Sequence, residues 1–265
     1  MPKLDAVLMA GGIPEPGEPL YPLTQGKPKA LLPIGGRPMV QWVLDALSKS
    51  KSVERIVVVG LGEGDGPLTA RQPLSYVPNQ GSMIGNVEGG VKRVVELNPA
   101  AQYTLLASCD IPAVTGEMVD WVVETSLATE HDLYYSIVTQ AAMEARFPGS
   151  KRSFFRLKEG RFSGGDMNVL RTKVVSHLHP AWQGIVAARK SALKQARLIG
   201  LDTLALFAAG LLSIPEAERR AGRALNIKGR VLLCPYAEVA MDVDKPHQYE
   251  LLQRDLERSP LARMG

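Results

Sequence analysis

The apolar run at residues 6–9 stops at Ala10-Gly11-Gly12, and the chain then passes through Pro22-Leu23-Thr24 and Pro28-Lys29-Ala30-Leu31-Leu32-Pro33. A short apolar run broken by a glycine pair reads as a strand that opens into a tight loop. Glycine amides approach a phosphate closely, because no Cβ stands between backbone and ligand. A lysine set between prolines a short way downstream reaches the same anion as a point charge. The combination predicts a site at the end of the first strand that binds and activates a nucleoside triphosphate.

Further strands are expected at 56–59, 74–77, 103–107, 133–138, 231–234 and 239–243, and a hairpin at 154–157 and Phe162 that turns on Lys158-Glu159-Gly160-Arg161. Helices fall between them. One runs from Pro38 to about Ser48 with Met39, Val43 and Leu47 on one face; others cover 84–97, stopped by Asn98-Pro99, then 116–127, and a last one begins near Pro246. Such alternation argues for a layered α/β fold with a mainly parallel sheet. From 172 to 225 the strand signal vanishes. Three or four helices are expected there, broken at Gly200, the last opened by a capping box of Ser213 and Glu216. The expectation is one domain over 1–265 with a helical insertion at 172–228.

With 265 residues and a formal net charge of +4, the chain has no long basic block, which argues against nucleic acid as partner and only weakly for an anionic ligand. Cys109 and Cys234 form no ligand pattern and lie in apolar strand contexts, where a thiol behaves as a small hydrophobe. The apolar run 204–212 is far short of a membrane span, and the first strand begins almost at once, so a cytoplasmic protein is expected. That run reads as packed core, with a membrane-touching or homodimer-forming helix as the alternative. Two patterns are decoys. Gly60-Leu61-Gly62-Glu63-Gly64-Asp65-Gly66 has the wrong spacing for a dinucleotide fingerprint, and Pro67 stands where the helix should open. His177-Leu178-His179 has no cysteine or acidic partner placed beside it.

Three carboxylates are candidates for chemistry. Asp110 lies just past a strand end, where ligands collect in open α/β sheets. Asp242 and Asp244 share a face if Met241-Asp242-Val243-Asp244 is extended. Should that late strand lie beside the Asp110 strand, a carboxylate from each would hold Mg²⁺, which favours one or two carboxylates plus phosphate oxygens and water. The plain alternative is that these acids cap helices or face water.

Together these residues bring a family into view. The chain resembles the nucleotidyltransferases of Rossmann-like GT-A fold, namely the sugar-nucleotide pyrophosphorylases and the molybdenum-cofactor guanylyltransferase-like group. Pro22-Leu23-Thr24-Gln25-Gly26-Lys27-Pro28-Lys29-Ala30-Leu31-Leu32-Pro33 matches their Pro-Leu-Thr-x-x-x-Pro-Lys-x-Leu-Leu-Pro element, Asp110 their central acid, and 242–246 their late Asp-x-x-x-Pro element. The resemblance implies a three-layer α/β/α fold with a loop of Ala10, Gly11 and Gly12 whose glycine amides contact the triphosphate. It implies that Lys29 stabilises charge on the α-phosphate and that Asp110 and Asp242, with Asp244 beside them, bind Mg²⁺. Asn79, Gln80, Gly81 and Ser82 fall where the family reads the nucleobase, with Asn86 near the helix start. Gly165, Asp166 and Asn168 fall where it contacts the acceptor, although Gly164-Gly165 reads equally as a β-bulge.

The family loop carries an arginine that this chain lacks. Ile13-Pro14-Glu15-Pro16-Gly17-Glu18-Pro19-Leu20-Tyr21 has two glutamates and three prolines instead. Lys27, Lys29 or Arg37 would have to compensate, or the glutamates point away or bind a further metal. Two readings follow: a Mg²⁺-dependent nucleotidyltransferase that acts on a phosphorylated acceptor and releases pyrophosphate, or a nucleotide-binding sensor or partner subunit that has lost turnover. A glycosyltransferase on the same fold fits less well, since it has no use for the Pro-Lys-x-Leu-Leu-Pro element. In the helical insertion, Arg189, Lys190, Lys194 and Arg197 form either a solvated face or a clamp on the acceptor's phosphate.

Overall fold

Runs of β-branched and apolar residues build the centre of the sheet. Leu4–Met9 (β1) lies parallel between Val53–Val59 (β4) and Tyr103–Ser108 (β6), and Leu74–Val77 (β5) extends the sheet beyond β4. The computed structural model describes residues 3–175 and 200–258. Beyond β6 the sheet becomes mixed. Met167–Arg171 (β10) pairs antiparallel with both β6 and Leu133–Thr139 (β7), and the hairpin of Phe155–Leu157 (β8) and Gly160–Gly164 (β9) pairs through β9 with β7. Gly229–Leu233 (β11) runs parallel along β7. After the short helix Tyr21–Thr24 (α1), a small separate ribbon joins Pro33–Ile34 (β2) to Arg37–Pro38 (β3).

Alternation along the strands sets the layers. Ala6, Leu8, Ile56 and Val58 face one way, onto helices Met39–Lys49 (α2), Gly116–Leu127 (α4) and Pro246–Arg258 (α9). Val7, Val57 and Val59 face the other way, onto Val91 and Val94 of Met83–Leu97 (α3) and Val175 of Thr172–Val175 (α6). The result is the three-layer, Rossmann-like α/β arrangement with a mostly parallel sheet. Helix α3 comes down tightly on the sheet at Gly90, where a Cβ would stand 2.5 Å from Val7 Cγ1 and 2.9 Å from Val59 Cγ2. No helix among the described residues is long and apolar enough to cross a membrane.

Several expectations change. Residues 239–243 are not a strand: Ala237–Ala240 is a 3₁₀ turn, and the chain runs on irregularly to Lys245. No edge is available beside the Asp110 strand, because β1 and β10 occupy both sides of β6. Strand β10 and the short helix Gln140–Arg146 (α5) are additions to the expected elements. Of the region 172–228, helices α6, Leu201–Ala208 (α7) and Ile214–Leu225 (α8) are described. Only half of the capping box forms: Ser213 Oγ accepts from Glu216 N, whereas the Glu216 carboxylate turns to Arg220 one turn on. The run 204–212 divides, with Leu212 buried and Leu206 packed against the β7–β9 cluster while Leu211 stays 62% exposed. His177, His179, Arg189, Lys190, Lys194 and Arg197 lie outside the described residues.

Candidate active site

The parallel strands β1 and β6 end side by side, and ligands gather beyond such ends in open α/β sheets. Ala10 is buried and gives its N–H to Val59 O at 2.7 Å, so it supports the loop from beneath. Gly60 takes φ +99, and a Cβ on it would strike Gly11 Cα at 2.2 Å; only glycine lets these two loops touch. Gly12 lies at the surface, and its carbonyl accepts from Lys29 N at 2.9 Å, which lays the lysine side chain along the loop.

The loop before α3 is pinned by two asparagines. Asn79 Nδ2 donates to Gly11 O at 2.8 Å and Asn79 Oδ1 accepts from Gly81 N at 3.0 Å. Asn86 Oδ1 accepts from Gln80 N at 2.7 Å, and Gln80 Nε2 donates to Pro78 O. Ser82 caps α3, its Oγ accepting from Gly85 N. Gln80, Gly81 and Ser82 are exposed beside the glycine loop. Asn86, expected near the base, therefore also shapes the loop that would read it.

Lys29 and the acids do converge. Lys29 Nζ lies 2.5 Å from Asp110 Oδ2 and 3.0 Å from Asp244 Oδ1. Burial disfavours its ammonium, but the Asp110 and Asp244 carboxylates outweigh that and hold its pKa above the ordinary lysine value. Asp110 itself is buried, and its second oxygen, Oδ1, has no hydrogen-bond partner among the described residues. Val243 N donates to Asp110 O at 2.9 Å, so Asp242 and Asp244 reach the site from a loop rather than a strand. Asp242 is occupied: its Oδ1 accepts from Arg152 Nη1, and Arg152 Nη2 reaches Ser163 Oγ at 3.4 Å.

The glycine-bearing element expected to meet an acceptor is a bulge. Ile137 pairs with Gly164 but Tyr134 with Val169, so Tyr135 and Ser136 stand opposite residues 165–168. Asn168 mends the ladder, Oδ1 accepting from Ser136 N at 2.9 Å and Nδ2 donating to Gly165 O at 3.2 Å. Gly165 packs where a Cβ would meet Ser136 and Val239. The bulge presents Asp166 to the acidic cluster. Burial, then the Asp110 charge, raise its carboxyl from the ordinary 3.8 to about 7.

The acidic loop folds on itself: Glu18 Oε2 accepts from Glu15 N at 2.9 Å, and both glutamates are exposed. Arg37 pairs with Asp45 at 2.7 Å and stacks over Trp42, so it is spent on the fold. Burial pushes the Cys109 thiol up, with the Asp110 charge adding to it, and burial takes Cys234 to about 11; neither is poised as a nucleophile. Arg152 is the site residue that sequence reasoning misses, since no motif or spacing ties it to Asp242.

A glycine loop, a lysine and clustered acids at the strand ends of a Rossmann-like sheet define a nucleotidyltransferase-type protein. Residues 6–174 match the MobA-like NTP transferase domain, and the chain belongs to that family. It is similar to a hypothetical transferase from Thermus thermophilus, 37% identical, with a TM-score of 0.80 over 93% of this chain and 99% of that one. The 2-C-methyl-D-erythritol 4-phosphate cytidylyltransferase of Thermus thermophilus shares the fold at 15% identity, with a TM-score of 0.52 over 99% of this chain and 100% of that one. The human mannose-1-phosphate guanylyltransferase regulatory subunit alpha is 36% identical over 66 residues, which is 25% of this chain but only 16% of that protein's length.

Proposed function

We propose that the protein transfers a nucleoside monophosphate from an NTP to a phosphorylated small-molecule acceptor, with Mg²⁺, releasing pyrophosphate. The observation that carries this reading is Lys29 Nζ held between Asp110 and Asp244 beside the glycine loop. An acceptor phosphate oxygen attacks the α-phosphorus in line, the bond to the β-phosphate oxygen breaks, and pyrophosphate leaves. The chain's part is positioning and charge neutralisation, with no protein nucleophile required. Gly11 and Gly12 orient the triphosphate, Lys29 meets the charge that develops at the α-phosphate, and Gln80, Gly81 and Ser82 flank the base. Asp166, held in place by the bulge that Gly165 and Asn168 maintain, faces the acceptor.

The donor set fits Mg²⁺. All candidate ligands are hard carboxylate oxygens, and the buried, unpaired Asp110 Oδ1 is an acceptor in need of a cation. Asp110 would hold the ion with Asp242 or Asp244, leaving its remaining positions to phosphate oxygens and water. Bound there, it would neutralise phosphate charge as a Lewis acid. The test is pyrophosphate release from the four NTPs with a panel of phosphorylated acceptors. Turnover is expected for one pairing and is expected to fall about 100-fold or more in Lys29→Ala and Asp110→Ala. Wild-type turnover in either variant would refute the assignment.

The arginine-free acidic loop favours a second reading, in which the protein binds the nucleotide without turning it over. The short stretch shared with a guanylyltransferase regulatory subunit points the same way. Binding of Mg²⁺ and an NTP without pyrophosphate release across the acceptor panel would establish it.

A further inference from the structure

Asp110 and Asp242, two of the three carboxylates that the Mg²⁺ reading rests on, each carry a cation of the protein's own on one oxygen, and the two cations differ in how fully they are satisfied. Lys29 covers one oxygen of Asp110 and leaves the other buried and unpaired, so a second cation can share that carboxylate while the lysine stays. Arg152 lies on Asp242 with both side chains nearly out of solvent, 13% and 12% exposed. Its Nη2 has a long contact to Ser163 Oγ, and its Nε is buried without a partner among the described residues. A buried guanidinium with an unpaired N–H is incompletely satisfied where it stands. Its fork is also the side-chain geometry that best matches phosphate oxygens.

Breaking such a pair by removing one partner is expensive, because the other charge is left buried alone. A bare divalent cation at Asp242 would compete with the Arg152 charge for that carboxylate. A polyanion that arrives with the cation offers the guanidinium new acceptors, so the exchange leaves no charge uncompensated. We infer that Arg152 is a positioning residue whose charge opposes a divalent cation at Asp242 until a phosphate-bearing ligand enters with it. Cation and phosphate ligand then bind with positive coupling. The inference rests on the nucleotidyl-transfer reading and adds an order of assembly to it.

Bare Mn²⁺, followed by its paramagnetic resonance signal on the full chain without nucleotide, is the direct probe. Arg152→Gln is expected to bind Mn²⁺ about tenfold tighter than wild type or more, since an adjacent like charge has gone. The double variant Arg152→Gln/Asp242→Asn should lose that gain. Arg152→Lys keeps the charge but not the fork, so bare Mn²⁺ affinity should stay at the wild-type value while a preformed Mn²⁺–NTP complex binds about tenfold more weakly; this arm decides the matter if Arg152→Gln does not fold. Unchanged affinity in folded Arg152→Gln, or an equally tight Mn²⁺–NTP complex in Arg152→Lys, overturns the inference while leaving the transferase reading intact. Calorimetry with preformed Mn²⁺–NTP complexes separates the two: a wild-type chain that binds none of the four removes both.

Discussion

Lys29 and Asp166 show how one cluster shifts two groups to opposite effect. Asp110 and Asp244 keep the lysine charged, while burial, and then the Asp110 charge, make the aspartate reluctant to ionise. Lys29 and Asp110 are legible in the sequence because each sits in a motif whose chemistry is local: a lysine between prolines, an acid at a strand end. Arg152 is not, because it meets Asp242 far along the chain through an irregular loop, and nothing in either segment announces the other. Asp166 yields a prediction for the metal-free protein. Its folded carboxyl keeps a proton up to about 7, whereas the ordinary value is 3.8. The folded state therefore binds more protons between those values, and this group's contribution to stability falls as pH rises through the window and is flat above it. Asp166→Asn abolishes that fall. In thermal melts the variant should exceed wild type at about pH 8 and approach it near about pH 4; parallel melting curves at both pH values would contradict the assignment.

At the scale of elements, the strands with continuous β-branched runs are easy to read, and the ones that position the site are not. Strand β10 carries Val169 and Leu170 but follows two glycines and an aspartate, which read as a loop. The bulge arises from pairing with β7, a partner that local sequence does not identify. The stretch 239–243 is apolar for a different reason than a strand would be: Val239, Ala240, Met241 and Val243 are fully buried in a turn packed on the core. Helix α3 brings the Asn79–Asn86 loop to Gly11, and Gly90 sets its depth. Gly90→Ala gains helix propensity of about 1 kcal/mol, but its Cβ presses two stiff valines, a conflict that costs about 1–3 kcal/mol. Urea unfolding should show net destabilisation, and a more stable variant would mean that the helix has room to lift. Ser82→Ala removes the cap and should cost about 1 kcal/mol, measured in the same way.

For the whole molecule, the three-layer fold follows from alternation alone, while the site needs the fold to be assembled. Six separate segments meet there: the glycine loop with Lys29, the Asn79–Ser82 loop, the end of β6, the stretch that carries Arg152, the β9–β10 bulge and the loop 241–244. Their nearness is a property of topology. The acidic loop exposes both glutamates and turns the Glu18 carboxylate back onto Glu15 N, while the Lys29 side chain lies against Gly12. On the proposed function this lysine and these amides grip a triphosphate. Calorimetric titration of wild type and Lys29→Ala with each of the four Mg²⁺–NTP complexes is the decisive measurement. One NTP should bind wild type, and Lys29→Ala should bind it about tenfold more weakly or worse, since two acids then face the phosphates without their counter-ion. Equal affinity in the two proteins, or no binding of any NTP to wild type, would contradict it.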